Sequence, residues 1–305
     1  MLSATPTGRD VRSAAELLLA RRGADGRIVT YPERGQTHPY QKWQGPHWTL
    51  VCLAEIGYPP GDTTLIPMRD QFYDWLFDPR HLRKPRSLLI AGQEDRFRRC
   101  ASQEGYAVWY SHVLGIADDR TEELVDRLLR WQWPDGGWNC DKRPQAGVSS
   151  FHETLVPLRA LALHAKATGS RRSAAAARRA AEVFLQRRMF RRRRDGKVMD
   201  PKFLLLQFPH YYSYNILFGL KVMAEAGFIG DPRCAEALAV IESKRLAAGG
   251  WPLELKAWKL ADAYTTRGSF VDWGPCGRAR PNPWVTRDAM FVLETAGRLP
   301  KKREC

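Results

Sequence analysis

The sequence predicts an all-α fold, and three observations support this. Apolar segments recur along the chain, and each ends on a glycine, the residue that most readily adopts the left-handed conformation just past a helix. Amphipathic segments with a single apolar stripe alternate with them. Strand signals are scarce, with few alternating Val, Ile and Thr residues and no Asn-Gly hairpin turn. The alternation favours helical hairpins placed side by side.

The glycine-terminated segments recur at a nearly regular spacing. They end at Gly57, Gly115, Gly169, Gly227 and Gly297, which are 58, 54, 58 and 70 residues apart. Such a period is typical of a repeat architecture, so we expect these segments, the fourth of which covers 209–227, to form an inner ring of buried helices. The amphipathic outer helices are predicted at 10–22, 67–78, 121–133, 171–190 and 233–247.

Composition favours one globular domain over residues 1–305, with flexible tails at 1–9 and 299–305. A hydrophobic content of 44% is enough for a core. The net charge of +15 favours anionic partners, although arginine in alanine-rich helices equally fits a compositional habit of the source organism. We predict a cytoplasmic protein, because the first residues lack an apolar signal region, no window resembles a membrane span, and the six cysteines show no CxxC pair.

The stretch "QWPDGGW" (132–138) lies where an outer helix is predicted to end, and three degenerate copies occupy the same place at 22–28, 192–198 and 245–251. The first copy resembles the Q-x3-G-x-W turn, or QW motif, of squalene cyclases. Motif and helical period agree, so residues 10–297 resemble the terpenoid cyclase and protein prenyltransferase superfamily. No single characterised enzyme is matched.

The resemblance implies an α/α toroid of five or six helical hairpins. The loop-rich stretches 23–45 and 252–282 are candidates for the sixth. It also implies that Gln132 caps a helix end, Gly136 takes the tight turn and Trp138 stacks back on it. The reaction cavity would lie on the axis, near the N-terminal ends of the inner helices, where helix dipoles favour anions such as diphosphates.

Two histidines occupy equivalent repeat positions, since His152 and His210 each lie 17 residues before their closing glycine. Cys140 and Asp141 come just before the helix that carries His152. The resemblance to protein prenyltransferases implies a Zn²⁺ ion held by these four residues, although Asp141 follows the cysteine here instead of preceding it. Thiolate, imidazole and carboxylate suit a tetrahedral Zn²⁺ with an open position. The alternative is that the histidines pack at helix starts and Cys140 is a small buried apolar residue.

Acid candidates are few. The chain has no Asp-x-Asp-Asp motif, which argues against cyclisation started by alkene protonation. "DDRTE" (118–122) resembles a magnesium-binding box, but it opens an outer helix, where Asp commonly caps. Glu153 and Asp288 remain as candidate catalytic carboxylates. Asp288 lies mid-helix among apolar residues, so pairing with an arginine such as Arg159 is an alternative explanation.

Aromatic residues near the predicted starts of the inner helices are candidates for binding a hydrophobic substrate, because ring faces contact alkyl chains and stabilise cations. They are Trp48, Tyr106, Trp109, Tyr211, Tyr212 and Trp284. The same rings would also suit sugar stacking. The basic run 187–197 fits an anionic membrane surface, a substrate diphosphate or a simple solvated face better than it fits nucleic acid.

We therefore predict an enzyme that handles an isoprenoid or another long apolar substrate in an axial cavity, by metal-assisted prenyl transfer or cyclisation. One rival is a carbohydrate-active hydrolase or lyase on the same architecture, with Glu153 and Asp288 as its carboxylate pair. The other is a non-catalytic toroid that binds a lipid or a protein. The sequence leaves the oligomeric state and the need for a second subunit open.

Overall fold

The computed structural model describes residues 5–30, 38–82, 89–90, 93–97, 99–143 and 145–299. Residues 1–4 and 300–305 of the two expected tails lie outside this part. The first helix begins at Gly8, capped by the Thr7 side chain, so the last two residues of the expected N-terminal tail are helical.

Helices dominate the described residues, which confirms the all-α prediction. The helices are α1 (Gly8–Leu19), α2 (Pro46–Ile56), α3 (Ile66–Phe77), α4 (Pro79–Leu82), α5 (Ala101–Val113), α6 (Asp119–Trp131), α7 (Phe151–Thr168), α8 (Arg171–Leu185), α9 (Ile216–Glu225), α10 (Ala235–Ser243) and α11 (Pro283–Thr295). Short 3₁₀ turns cover Thr63–Leu65, Pro201–Leu204 and Pro232–Cys234. Strand β1 (Leu89–Ile90) pairs antiparallel with β2 (Gln93–Phe97), and β3 (Lys259–Leu260) pairs parallel with β4 (Gly268–Ser269).

Burial separates the longer helices into two kinds, as the pattern predicts. Every residue of α2 is buried, and most of α5, α7, α9 and α11 is buried as well. Helices α1, α3, α6, α8 and α10 bury only one face. The apolar stripe of each amphipathic helix therefore covers the buried helices while its charged face stays in solvent.

The buried helices pack in chain order. Helix α2 contacts α5, α5 contacts α7, α7 contacts α9, and α9 contacts α11. Arg287 of α11 then donates a hydrogen bond of 3.0 Å to the backbone carbonyl of Glu55 on α2, so the last buried helix also reaches the first. Each of α2, α5, α7 and α9 packs against the amphipathic helix that follows it.

The turn at 132–138 recurs with the same backbone bonds. The Trp133 amide donates to the Gly137 carbonyl at 2.8 Å, and the Gly136 amide donates back to the Trp133 carbonyl at 2.9 Å. Residues 23–27 and 246–250 repeat both bonds. The copy at 192–198 differs, because its outer bond joins Arg192 to Lys197 and the turn is one residue longer.

In the two of these turns that contain a tryptophan at their end, its indole N–H caps the preceding helix. Trp138 Nε1 donates to the carbonyl of Leu128 in the last turn of α6 at 3.2 Å, and Trp251 Nε1 donates to the carbonyl of Ile241 in α10 at 2.7 Å. Gln132 is the C-cap residue of α6, as expected. Its amide donates to the carbonyls of Gly136 and of Ala176 in α8, so it ties the turn to the neighbouring helix.

The segment 209–227, expected as one long buried helix, is helical only from Ile216. Asn215 is the N-cap, and its side chain accepts a hydrogen bond from the Phe218 amide at 3.0 Å. Asparagine competes for helical backbone bonds and so favours the cap over the helix interior. His210, Tyr211 and Tyr212 therefore lie in the preceding turn, not in the first helical turn.

Among the residues described, no helix combines the length and apolar character that crossing a membrane requires.

Candidate functional site

Most of the aromatic residues proposed to bind substrate pack against one another. The ring of Tyr211 stacks on Trp43 at a centroid distance of 3.9 Å, and Trp48 meets Trp43 edge-on at 4.7 Å. Tyr106 donates its hydroxyl proton to the Tyr211 carbonyl. These four rings are buried and fill part of the interior with one another's side chains.

The remaining predicted aromatics have different environments. Trp109 is buried beneath the guanidinium of Arg159, which lies 3.7 Å from its ring centroid. Tyr212 is half-buried, and its hydroxyl accepts a hydrogen bond from Lys42 Nζ at 3.1 Å. Trp284 stacks on Phe208 at 5.3 Å and borders a surface groove.

That groove has a volume of about 1140 Å³ and lies between α1 and the segment 271–284. Its apolar lining includes Ala14, Leu17, Val271 and Trp284, and Leu17 is 46% exposed. Arginines and aspartates at its border, namely Arg9, Asp10, Asp272 and Arg280, add charge of both signs. The groove is large enough for a long apolar molecule.

Asp288 does not stand free in the interior. Its carboxylate accepts hydrogen bonds from Lys221 at 3.1 Å and Arg287 at 3.0 Å, and it faces His210 Nε2 at 3.0 Å. Burial alone would raise the pKa of Asp288, but Lys221, Arg287 and His210 hold it well below its usual range. The group is therefore an anion held by cations, not a proton donor.

Asp288 belongs to a larger set of paired charges, which we call the ion-pair network: Glu55, Arg159, Lys221, Glu225, Arg287 and Asp288. Lys221 bridges Asp288 to Glu55, which it reaches at 2.7 Å. Arg159 pairs with Glu55 and, at 2.5 Å, with Glu225. The expectation that Asp288 is paired is thus correct, but the partner is not Arg159. Four buried helices meet in this network.

The two histidines predicted as metal ligands are engaged elsewhere. His210 is buried against Asp288, and burial lowers its pKa. His152 is half-buried, and its Nδ1 accepts a hydrogen bond from the Tyr214 amide at 2.8 Å. The Asp141 carboxylate accepts hydrogen bonds from both Nε and Nη2 of the Arg143 side chain. The potential ligand atoms gathered around Cys140 do not include those of Asp141, His152 or His210.

Cys140 instead meets Cys100 and Glu153, and we call these three residues the thiol–carboxylate cluster. The two sulfurs and a Glu153 oxygen all lie within 4.8 Å of one another. The Cys140 thiol donates to Glu153 Oε1 at 3.3 Å, and the Ser102 amide donates to Oε2 at 3.0 Å. Glu153 is buried, Cys140 is half-buried and Cys100 is exposed, so the cluster opens to solvent.

Backbone bonds bring the two cysteines together. The Arg99 amide donates to the Asn139 carbonyl at 3.0 Å, one residue before each cysteine. The loop that follows is held by the Asn139 side chain, which donates to the Val148 carbonyl at 2.8 Å, and by the Ser150 amide, which donates to the Trp138 carbonyl at 2.9 Å. Ser150 then caps α7 and places Glu153 in its first turn.

The electrostatics of the cluster differ from those of the ion-pair network. Burial raises the pKa of Glu153, and the hydrogen bonds from Ser102 and Cys140 offset only part of this effect. The hydrogen bond to Cys100, followed by burial and the nearby Glu153 carboxylate, raises the pKa of the Cys140 thiol. A bound cation would reverse both shifts, because it stabilises thiolate and carboxylate.

The sequence did not single out Cys100. It lies 40 residues before Cys140, and only a contact between the loops that precede α5 and α7 makes them neighbours. The signal that could have found it is its position directly before α5, since Cys140 also precedes a buried helix.

Among solved structures, the chain is similar to a variant of a type II terpene cyclase from Scytonema, in complex with its substrate geranylgeranyl dihydroxybenzoate. The two chains are 13% identical at a TM-score of 0.28, over 95% of this chain and 97% of that one. No family model and no curated protein matches the chain. A likeness of this size carries no argument about activity, so the function is argued from the residues alone.

Proposed function

We propose that the alternating buried and amphipathic helices form an α/α toroid of five hairpins. The support is the packing of the five buried helices in chain order and the contact of Arg287 on α11 with Glu55 on α2. The stretch 252–282, a candidate for a sixth hairpin, contains β3 and β4 and no helix.

We further propose that the protein is a zinc-dependent enzyme with the thiol–carboxylate cluster as its reactive centre. The observation that carries this is the close approach of three donor atoms from Cys100, Cys140 and Glu153, all within 4.8 Å of one another. Two thiolates and one carboxylate suit Zn²⁺, and three protein ligands leave a fourth position for a substrate group. The zinc set thus keeps Cys140 from the sequence prediction and replaces Asp141, His152 and His210 with Cys100 and Glu153.

The reaction that best fits this centre is transfer or ionisation of an isoprenoid or another long apolar substrate. A bound zinc ion would polarise a diphosphate or lower the pKa of an incoming thiol. Cys100 and Glu153 lie at the N-terminal ends of α5 and α7, where helix dipoles favour an anionic substrate group.

Residues beside the cluster suit such a substrate. Tyr40 lies close enough to Glu153 and Cys100 that both add to the effect of burial in raising its pKa. Tyr40 and Tyr212 are half-buried, so each presents part of a ring to solvent. Lys42 lies 4.4 Å from the centroid of the Tyr212 ring and supplies a cation for a phosphate or carboxylate.

The first test is metal content. Protein purified without a histidine tag should contain zinc, and Cys100→Ser and Cys140→Ser should each lose about one ion per chain by elemental analysis. Cys276→Ser is the matched control, because Cys276 is exposed and lies outside the cluster, and it should lose none.

Two results would reject the zinc centre: unchanged zinc in both variants, or a Cys100–Cys140 disulfide revealed by thiol counting on the unfolded protein. Activity is tested with isoprenyl diphosphates by measuring diphosphate release. Wild type and Cys276→Ser should release diphosphate, and Cys140→Ser should not.

A second candidate function is non-catalytic binding of an apolar ligand in the groove between α1 and 271–284. The observation in its favour is the groove's volume of about 1140 Å³ with apolar side chains at its floor. A prenyl alcohol should then quench tryptophan fluorescence through Trp284, and Leu17→Glu should weaken its binding. Saturable binding with no metal and no turnover would favour this function over the first.

The carbohydrate-active alternative needs Glu153 and Asp288 as a carboxylate pair, and Asp288 does not suit that role. A glycosidase pair needs both carboxyl groups open to the sugar. Asp288 is 2% exposed and ion-paired, so it does not serve with Glu153 as such a pair.

A further inference from the structure

A second group of potential metal ligands lies at the other ends of the same helices. His112 is in the last turn of α5, Glu122 is in the first turn of α6, and His164 is near the end of α7. We call these three residues the histidine cluster. Glu153 and His164 are eleven residues apart on α7, which corresponds to roughly 16 Å along the helix axis. The two clusters are therefore separate sites.

The ligand atoms of the histidine cluster converge. One atom each from His112, Glu122 and His164 lies within 4.8 Å of the others. His164 Nε2 is 3.0 Å from Glu122 Oε2, and the two imidazole rings meet at a centroid distance of 5.6 Å. His112 Nε2 is buried and has no hydrogen-bond partner among the residues that the structure describes. A buried nitrogen without a partner is costly, and a cation is one group that would satisfy it.

A hydrogen bond on the far side of His164 prepares it for this role. Its Nδ1 lies 2.9 Å from the hydroxyl of Ser173, which is fully buried at the start of α8. If Nδ1 carries the proton and donates it to Ser173, Nε2 presents a bare lone pair to the Glu122 carboxylate. Two acceptors at 3.0 Å repel each other unless a proton or a metal ion lies between them. Metal-bound histidines commonly have an outer partner of this kind.

The charges around the cluster also favour a cation. The ends of α5 and α7 lie beside the cluster, and helix C-termini carry partial negative charge. The Glu122 side chain is 55% exposed, so an ion can enter from solvent.

We propose that His112, Glu122 and His164 bind a divalent transition-metal ion of the zinc class, and that this ion joins α5, α6 and α7. Two imidazoles and one carboxylate form a tetrahedral zinc set with one position left for water. The inference does not depend on the proposed function, because none of its ligands belongs to the thiol–carboxylate cluster.

The test uses the full chain without a histidine tag in a Cys100→Ser/Cys140→Ser background, which removes the other cluster. After chelator treatment and dialysis, titration calorimetry with Zn²⁺ should show about one site per chain. Adding His112→Ala or His164→Ala should weaken binding by more than about tenfold. His81→Ala is the matched control, a half-buried histidine of α4 that lies outside the cluster, and it should not change the affinity.

A histidine variant could lose binding because it fails to fold, so Glu122→Gln supplies a second measurement. Glu122 is mostly exposed, and its replacement should leave circular dichroism unchanged while it weakens zinc binding. Zinc should also raise the Tm of the background protein and not that of His164→Ala, since a ligand stabilises only the state that binds it.

Three outcomes would overturn the proposal. The first is no zinc binding in the Cys100→Ser/Cys140→Ser background. The second is equal affinity in that background with and without His164→Ala. The third is loss of binding in Glu122→Gln only when its fold is also lost. A plain ion pair between protonated His164 and Glu122 would give the second outcome. If the Cys100→Ser/Cys140→Ser protein binds no zinc while the wild type does, the histidine cluster is rejected as a metal site and the proposed enzyme centre still stands.

Discussion

The ion-pair network and the thiol–carboxylate cluster both bury carboxylates on the same set of helices, but they differ in how those carboxylates are satisfied. Asp288 and Glu55 each contact at least two cationic groups. Glu153 is buried to a similar degree, and its carboxylate accepts hydrogen bonds from the Ser102 amide, the Ser102 hydroxyl and the Cys140 thiol. The pKa is lowered in the first case and raised in the second.

This difference distinguishes carboxylates that stabilise the fold from a carboxylate that can take part in chemistry. A buried carboxylate that is fully paired resists protonation and resists approach by a ligand, so it holds helices together. A buried carboxylate beside two thiols, with an exposed sulfur at its edge, is ready to receive a cation from solvent. Perturbed groups of the second kind are the better markers of a functional site.

The largest expected effect comes from breaking the ion-pair network. Asp288→Asn leaves Lys221 with one anionic partner fewer in a buried position, so the free energy of unfolding should fall by about 3–5 kcal/mol. Denaturant unfolding measures it. Asp126→Asn, which removes the exposed partner of Arg172, is the control and should change little. Equal effects of the two substitutions would contradict the role given to the network.

The same network predicts loss of stability in acid. The pKa values of Asp288 and Glu55 are lower in the folded chain than the ordinary value near 4, because cations outweigh burial. Their contribution is complete above about pH 4 and disappears as the pH falls towards the folded values. Wild-type protein should lose stability steeply below about pH 4, and Asp288→Asn should lose it less steeply. Parallel curves would show that the Asp288 contribution does not depend on its charge.

At the thiol–carboxylate cluster we expect stability to change with pH in the opposite direction. Burial raises the pKa of Glu153 in the folded chain, so metal-free wild type should lose stability as the pH rises from about 4 through that folded value. The glutamine in Glu153→Gln cannot ionise, so the stability of this variant should not change over that pH range. At pH 7 the variant should be within about 0.5 kcal/mol of wild type or more stable. A loss like that of Asp288→Asn would mean that Glu153 is structural.

The smallest effect concerns the basic run 187–197, which lies outside both clusters. Arg193 and Arg194 are exposed, Arg194 lies 3.6 Å from the neighbouring Asp195, and Arg191 pairs with Glu236. If the run contacts an anionic membrane surface, Arg193→Gln and Arg194→Gln should each weaken binding to phosphatidylserine vesicles by about fivefold at low salt. Arg130→Gln, an exposed arginine at the end of α6, is the control. Equal binding by all variants would leave the run as a solvated face.

The sequence predicted best those features that are set by residues close together in the chain. The glycines at 57, 115, 169, 227 and 297 each follow a buried helix in the left-handed conformation, because that requirement is set by a few neighbouring residues. Asp118 caps α6 as expected, for the same reason. The long helix expected at 209–227 was wrong because Asn215 competes as a cap within it.

The candidate site was less predictable because its contacts are not local. Cys140 and Glu153 lie near the start of α7, and the sequence placed both near the predicted centre. Cys100 joins them only through the backbone bond between Arg99 and Asn139. His210 was a reasonable ligand by its repeat position, yet its partner, Asp288, is 78 residues away.

The sequence by itself determined the helical class, the alternation of buried and amphipathic helices, and the turns between them. These follow from apolar period, glycine positions and caps, which act within a few residues. The tertiary structure decided which ionisable groups meet. Whether a buried carboxylate faces two cations or two thiols depends on which helices pack together, and that choice alone makes Asp288 a structural anion and Glu153 a candidate metal ligand.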